Sequence, residues 1–170
     1  MIEIKNLSKE FKAPSDEKGL FGKKKKPFWA VKNFDFKIEK GKVASILGPN
    51  GCGKTTTLRM IAGMLTPTRG TAFVDGIDVR KDKHSVKAKI GYMTNNTSLY
   101  DRLNVIETIK FFAELNQIPK DVYESRANRL FKQLDMEDYL TKRIADLSTG
   151  MKQKTSIVRT LIHNPDIVIL

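Results

Sequence analysis

The chain has 170 residues, of which 40% are hydrophobic and 29% charged, a balance typical of a globular protein with a sizeable core. No apolar run approaches the roughly 18 residues that a membrane-spanning helix needs, and the N-terminus lacks the apolar segment of a signal peptide. The single Cys52 excludes an internal disulfide, so we expect a cytoplasmic protein.

Basic residues outnumber acidic ones and give a net charge of +12. The positive charges are scattered, apart from the four consecutive lysines 23–26, and no basic motif interleaved with aromatic residues is present. Three explanations of this net charge stay open: binding to nucleic acid, binding to an anionic membrane surface, or merely a lysine-rich composition. A solvated basic surface near acidic lipid headgroups is favoured.

The N-terminal part of the sequence has the pattern of an antiparallel sheet. Residues 1–7 alternate apolar and polar, which predicts a strand with one wet face. Prolines, glycines and lysines at 12–27 predict a basic loop insert, and alternation resumes over 28–38. Further along, residues 71–74 and 77–79 flank Asp75-Gly76, which predicts a hairpin.

A glycine-rich loop lies between these strands. The apolar run 43–47 predicts a buried strand, residues 48–55 fit the pattern G-x-x-x-x-G-K-[ST], and residues 55–65 predict a helix. Glycines let the backbone amides approach a phosphate, and the helix N-terminus adds its positive dipole end. Lys54 supplies a cation for the β- and γ-phosphates, and Thr55 supplies a hydroxyl for Mg²⁺.

The sequence therefore predicts a binding site for a nucleoside triphosphate and Mg²⁺. Its loop residues are Gly48, Pro49, Asn50, Gly51, Cys52, Gly53, Lys54, Thr55 and Thr56. We interpret Cys52 as a small packing residue rather than a nucleophile.

The segment after the hairpin carries weaker signals. Residues 81–89 are polar and basic, and His84 is expected to be an exposed loop residue. Residues 89–94 predict a strand, and residues 95–102 predict a polar loop.

The spacing of apolar residues becomes helical from residue 104 onward. Asn104 and Glu107 have the spacing of a capping box, followed by apolar residues on one face. Helices are also predicted over 119–134 and 137–142, and Ser148 is expected to cap a helix that runs to about residue 164. Residues 166–170 then predict a buried strand. This order predicts an α/β fold.

Residues 147–154, Leu-Ser-Thr-Gly-Met-Lys-Gln-Lys, resemble the signature sequence of ABC-type ATPases. The family pattern is Leu-Ser-Gly-Gly-Gln followed by a basic residue, Gln and a basic residue. Thr149 and Met151 depart from it, in a way similar to the sodium-exporter and ABC-2-type branch. Segments 30–41, 65–70 and 74–76 also resemble the family, so the resemblance covers nearly the whole chain.

The resemblance implies a P-loop NTPase fold of the ABC type: an N-terminal antiparallel β subdomain, a mixed core sheet and a helical subdomain. It assigns residues 1–102 to an ATP-binding core, 103–164 to the helical subdomain and 165–170 to the start of the Walker B strand. The Walker B Asp, the catalytic Glu, the switch His and the last core strands would follow Leu170. His163 and Asp166 do not replace them, so we expect a truncated domain.

The resemblance also implies partners and an activity. Two ATP-binding domains pair head to tail, so Ser148, Thr149 and Gly150 are expected to hold the partner's ATP. Transmembrane permease subunits would bind the helical subdomain on the cytoplasmic face of the membrane. The implied function is an ATP-hydrolysing subunit that powers export, and nucleic acid is not an expected partner.

Two family positions map less directly onto this sequence. Phe11, after the first strand, is expected to stack on adenine, with Phe28 and Trp29 as competitors. The family's Mg²⁺-contacting glutamine aligns with Asn95, whose side chain is one methylene shorter, and Asn96 is a second possibility. An ordinary polar loop residue is an equal alternative for Asn95.

Two alternatives to a transporter subunit stay open at this point. One is a soluble ABC-type ATPase that acts on RNA or DNA, and the other is a catalytically inactive fragment that binds nucleotide only. We expect the 170-residue chain alone to bind ATP weakly, with little or no turnover in a steady-state ATPase assay.

Overall fold

The computed structural model describes residues 1–12, 27–93 and 99–170, which form two compact units, Met1–Lys87 and Ala88–Leu170. The first unit contains β1 (Ile2–Phe11), β2 (Phe28–Ile38), α1 (Lys54–Ile61), β3 (Arg69–Val74), β4 (Ile77–Asp78) and most of α2 (Lys83–Lys89). The second contains β5 (Ile90–Tyr92), α3 (Val105–Leu115), α4 (Lys120–Gln133), α5 (Thr149–Leu161) and β6 (Ile167–Ile169). The division predicted at residue 102 stays a prediction. Within the described ranges, no helix combines the length and the apolar character needed to cross a membrane.

The first unit is built on a four-stranded antiparallel sheet with the strand order β2-β1-β3-β4. The predicted strand β1 is confirmed, with Ile4 and Leu7 buried, but its alternation is interrupted between these two residues, where the register shifts and Asn6 has a left-handed φ of 49°. The hairpin predicted at Asp75-Gly76 is also confirmed: Val74 pairs with Ile77 across the turn. The predicted antiparallel β part is therefore present.

The predicted buried strand at 43–47 is wrong. Val43 is 97% exposed and Leu47 is 89% exposed, and no strand in the described part of the chain pairs with this run. A strand needs a neighbour to satisfy its backbone donors and acceptors, and apolar composition alone does not supply one. The glycine-rich loop is therefore preceded by irregular chain.

The segment around residues 81–89, interpreted as polar loop, contains the helix α2. The Asp82 carboxylate accepts a hydrogen bond from the Ser85 N–H at 3.0 Å, which caps the first turn, and Val86 is buried. His84 is exposed, as predicted, but it lies on this helix. A single buried residue, Val86, in a helix of 7 residues is too weak a pattern to predict it.

The second unit packs its helices around one hydrophobic core. The predicted capping box is confirmed: the Glu107 N–H donates to Asn104 Oδ1 at 2.8 Å, and the Asn104 N–H donates to Glu107 Oε2 at 2.9 Å. The helix predicted over 137–142 is instead a 3₁₀ turn at Glu137–Tyr139, followed by another at Ile144–Asp146. Ser148 caps α5, which ends at Leu161.

Strands β5 and β6 pair in parallel, with Gly91 opposite Val168. Gly91 allows α5 to approach, since a Cβ there would lie 2.9 Å from Thr160 O and from Pro165 Cγ. The buried strand predicted at 166–170 is confirmed only in part. Ile169 is buried, but Val168 is 43% exposed, because in the described chain β6 has β5 as its one neighbour.

Candidate functional site

The glycine-rich loop turns sharply into α1. Gly53 is the N-cap residue of this helix, with a left-handed φ of 96°. A Cβ on Gly53 would lie 2.3 Å from the carbonyl oxygen of Ala30, so only glycine fits between the loop and β2. The backbone of the loop therefore passes close to the backbone of β2.

Lys54, the first residue of α1, folds back over this loop. Its ammonium donates to the carbonyl oxygens of Gly48 at 2.6 Å and Pro49 at 2.9 Å. The first turn of α1 contains no acidic residue, so nothing in it offsets the positive end of the helix dipole. A cation, a helix N-terminus and a glycine-rich backbone thus converge on one exposed segment.

This donor set fits a phosphate chain. Loop amides and an ammonium suit charged oxygens, and the exposed hydroxyl of Thr55 suits Mg²⁺. Among the residues with described positions, no group of three His, Cys, Asp or Glu side chains could hold a metal. A Mg²⁺ at Thr55 would therefore take most of its oxygens from phosphate and water.

Cys52 does not pack as predicted, because it is exposed. Its Sγ lies over Gly48, where a Cβ would be only 2.7 Å away. A glycine at position 48 leaves room for this thiol on the loop.

The aromatic residues proposed to stack on adenine divide into two groups. Phe11 and Phe28 are opposite each other in β1 and β2, and their rings stack with centroids 5.8 Å apart. Trp29 instead lies beneath the guanidinium of Arg69, 5.2 Å from its ring centroid. Phe28 is 59% exposed, whereas Phe11 is half-buried. The pair forms one aromatic surface, and Phe11 as the stacking residue stays a prediction.

The signature segment begins α5. Ser148 Oγ accepts a hydrogen bond from the Met151 N–H at 3.3 Å, and residues 148–150 are exposed. A Cβ on Gly150 would meet nothing within 4 Å. The ammonium of Lys154 donates to Leu134 O at 2.6 Å, which ties α5 to the end of α4. The N-terminus of α5 is therefore exposed, and the helix itself is bonded to the end of α4.

Two candidate Mg²⁺ ligands and one basic segment lie outside the described residues. They are Asn95, Asn96 and the lysine run 23–26.

The sequence reasoning missed an aromatic cluster in the second unit. Tyr100 meets the ring of Phe111 edge-on at 5.4 Å, and Phe111 meets Phe112 in the same way at 5.3 Å. The guanidinium of Arg159 on α5 lies 5.2 Å from the Phe112 centroid. The adjacent phenylalanines were the available signal, because two neighbouring residues of a helix cannot both lie on its buried face.

These features define a P-loop nucleotide-binding fold. They are an antiparallel sheet, a glycine-rich loop closed by a lysine at a helix N-terminus, and a helical core. Comparison with known proteins agrees with this class. A family model described as "ABC transporter" matches residues 31–170. The chain belongs to the ABC transporter family, among its ATP-binding domains.

Two curated relatives illustrate the match. The ABC transporter ATP-binding protein NatA of Bacillus subtilis (strain 168) is 43% identical over 150 residues, which cover 88% of this chain and 61% of that protein. The spermidine/putrescine import ATP-binding protein PotA of Clostridium novyi (strain NT) is 31% identical over 170 residues, covering 100% of this chain and 45% of that protein. The chain thus spans about half the length of these relatives.

Solved structures confirm the predicted fold class. A dimeric ATP-binding cassette in a post-hydrolysis state, bound to ADP and Pi, superposes with a TM-score of 0.82 at 25% identity. The match covers 99% of this chain and 72% of that one. An ATP-binding subunit of an ABC transporter gives a TM-score of 0.80 at 24% identity, with coverage of 99% and 64%.

Proposed function

We propose that this chain binds ATP and Mg²⁺ as part of a subunit that powers transport by ATP hydrolysis. The observation that carries the proposal is the position of Lys54, whose ammonium lies 2.6 Å from Gly48 O at the N-terminus of α1. Phosphoryl transfer in such sites depends on positioning and charge stabilisation rather than covalent chemistry. A mobile cation beside backbone amides is suited to both.

The roles of the loop residues follow from their chemistry. The amides of residues 48–53 and the ammonium of Lys54 bind the β- and γ-phosphates. Mg²⁺ is held by Thr55, with Asn95 as a further ligand. Phe11 stacks on the adenine ring, and its contact with Phe28 supports this role because it keeps an aromatic face at the end of the sheet.

The proposed partner at this site is a second ATP-binding domain in a head-to-tail dimer. Ser148, Thr149 and Gly150 would hold the γ-phosphate of the partner's ATP. Their exposure at the N-terminus of the 13-residue α5 supports the role, because that end binds anions. The dimeric state of the ADP-bound cassette described above supports the arrangement.

Permease subunits are the second proposed partner. We assign ATP binding to residues 1–102 and permease contact to the helical part, 103–164. Apolar side chains exposed on α3 support this division: Ile106 is 46% exposed, Phe111 39% and Leu115 66%. Such contacts would hold the subunit on the cytoplasmic face of the membrane.

We further propose export as the direction of transport. The departures at Thr149 and Met151 from the usual signature support it.

Titration of the chain with trinitrophenyl-ATP tests the central claim. We expect saturable fluorescence enhancement in the presence of Mg²⁺, reversed by unlabelled ATP and weakened by chelation of the metal. Enhancement that unlabelled ATP fails to displace would refute nucleotide binding at the loop.

A further inference from the structure

Basic charge is unevenly distributed between the two units. Residues 1–87 contain 19 Lys and Arg against 9 Asp and Glu, a net charge of +10. Residues 88–170 contain 12 against 10, a net charge of +2. Binding of one ATP requires no such excess, so the charge of the first unit calls for a separate explanation.

Four exposed cations of the first unit lie close together at α2. We call Arg80, Lys81, Lys83 and Lys87 the basic stripe. The Asp82 N–H donates to Asp78 O at 3.1 Å and the Val86 N–H donates to Asp82 O at 3.3 Å, so helical bonding spans this segment. Val79 and Val86 are buried, which turns the charged side chains outward.

The neighbouring acidic side chains accept hydrogen bonds from neutral donors, although the Asp78 carboxylate also lies in the field of Arg80 and Lys81. The Asp78 carboxylate accepts from the Thr71 hydroxyl and the Arg80 N–H, and the Asp82 carboxylate accepts from the Ser85 N–H. Across the described ranges, no ion pair within 4.0 Å neutralises any member of the basic stripe. Lys83 Nζ bonds the Thr66 hydroxyl at 2.8 Å, a neutral partner that leaves the charge in place.

An apolar side chain borders the basic stripe. α2 packs on Gly63, where a Cβ would lie 3.5 Å from Val86 Cγ1. The next residue, Met64, is 51% exposed. Cationic side chains beside an exposed, flexible apolar side chain are stabilised at the membrane interface, between the lipid headgroups and the acyl chains.

We propose that the basic stripe binds the surface of an anionic lipid bilayer. Ammonium and guanidinium groups pair with headgroup phosphates, and each basic residue near such a surface strengthens adsorption. Nucleic acid fits less well, because residues 79–89 contain no Phe, Tyr or Trp to stack on a base. The contact requires no nucleotide, so it is independent of the proposed ATP site.

Vesicle sedimentation tests this proposal with the 170-residue chain and no nucleotide. The vesicles are pure phosphatidylcholine, or phosphatidylcholine with about 30 mol% phosphatidylglycerol. One variant replaces Arg80, Lys81, Lys83 and Lys87 with Gln. Its matched control replaces one Arg and three Lys exposed in the second unit with Gln: Lys120, Arg129, Lys132 and Lys142. A third variant changes Lys81, Lys83 and Lys87 to Arg.

We expect binding to the anionic vesicles alone, falling steeply as salt rises from about 50 to about 500 mM. The stripe variant should lose roughly tenfold or more in vesicle affinity, while the control stays within about twofold and the Lys→Arg variant retains binding. Equal losses in the stripe variant and the control would overturn the proposal, as would absence of vesicle binding at low salt. Tighter binding to duplex DNA than to vesicles would overturn it in favour of nucleic acid.

Discussion

The ammonium of Lys54 lies 2.6 Å from the carbonyl oxygen of Gly48, six residues earlier in the chain. A second bond, to Pro49 O at 2.9 Å, holds the side chain across the loop. Phosphate oxygens are stronger acceptors for a cation than neutral carbonyls are. Triphosphate binding should therefore draw Lys54 away from these two oxygens.

Replacement of Lys54 by Ala should weaken ATP binding by roughly tenfold or more, since a charge-assisted bond contributes about 1.5–3 kcal/mol. Stability in urea should change by less than about 1 kcal/mol, because the bonds to Gly48 and Pro49 are exposed. The matched control is Lys37→Ala, an exposed lysine of β2. Unchanged ATP affinity in Lys54→Ala would show that the phosphates bind elsewhere.

Gly53 and Gly51 provide a matched pair for loop geometry. Both have a left-handed φ, 96° and 84°, but a Cβ on Gly51 would meet nothing within 4 Å, whereas on Gly53 it would strike Ala30 O. Gly51→Ala should cost about 1–2 kcal/mol of unfolding free energy from φ alone. Gly53→Ala should cost at least about 1 kcal/mol more, from overlap with backbone. Equal losses of unfolding free energy in the two variants, measured with urea, would contradict the close approach of Gly53 to Ala30.

Two substitutions of Ser148 distinguish its role as a helix cap from its proposed role in binding the partner's ATP. Ser148→Ala removes the hydrogen bond to the Met151 N–H and should cost about 1 kcal/mol of stability. Ser148→Asp keeps a capping oxygen but places a carboxylate where an anion would bind. We expect the Asp variant to retain stability and lose ATP-dependent dimerisation, measured by light scattering. Normal dimerisation of that variant would exclude Ser148 from the shared site.

His163 should make the stability of the second unit depend on pH. Burial and the positive charge of Arg126 lower the pKa of His163 below its ordinary value of 6.5, against an opposing hydrogen bond to the Ile90 backbone. Between the two values the unfolded chain binds more protons than the folded chain, so the free energy of unfolding rises with pH there. The contribution of neutral His163 to the free energy of unfolding is fully present above pH 6.5. It is lost as the pH falls from 6.5 toward the lowered pKa of the folded state.

Urea unfolding at several pH values with His163→Asn checks this dependence. The amide can keep a backbone hydrogen bond but cannot titrate, so the variant should lose less stability between pH values of about 7.5 and about 5. His84→Asn, at an exposed position of α2, is the control. An identical pH dependence in wild type and His163→Asn would exclude His163 as the source.

The sequence by itself determined the features that residues within a few positions of each other create. Asn104 and Glu107 form a capping box across three residues, Ser148 caps α5 in the same way, and Asp75-Gly76 closes a hairpin. The glycine loop before Lys54 belongs to this class as well. Such features are encoded locally because donor and acceptor lie on the same turn.

Only the tertiary structure decided the features that depend on distant partners. Residues 43–47 have the composition of a buried strand but no neighbour to pair with in the described chain, so Val43 and Leu47 stay exposed. The stacking of Phe11 on Phe28, and of Arg159 on Phe112, joins residues that no sequence periodicity relates. Strand pairing and ring contacts require a second segment at the right distance, and the three-dimensional fold supplies that segment.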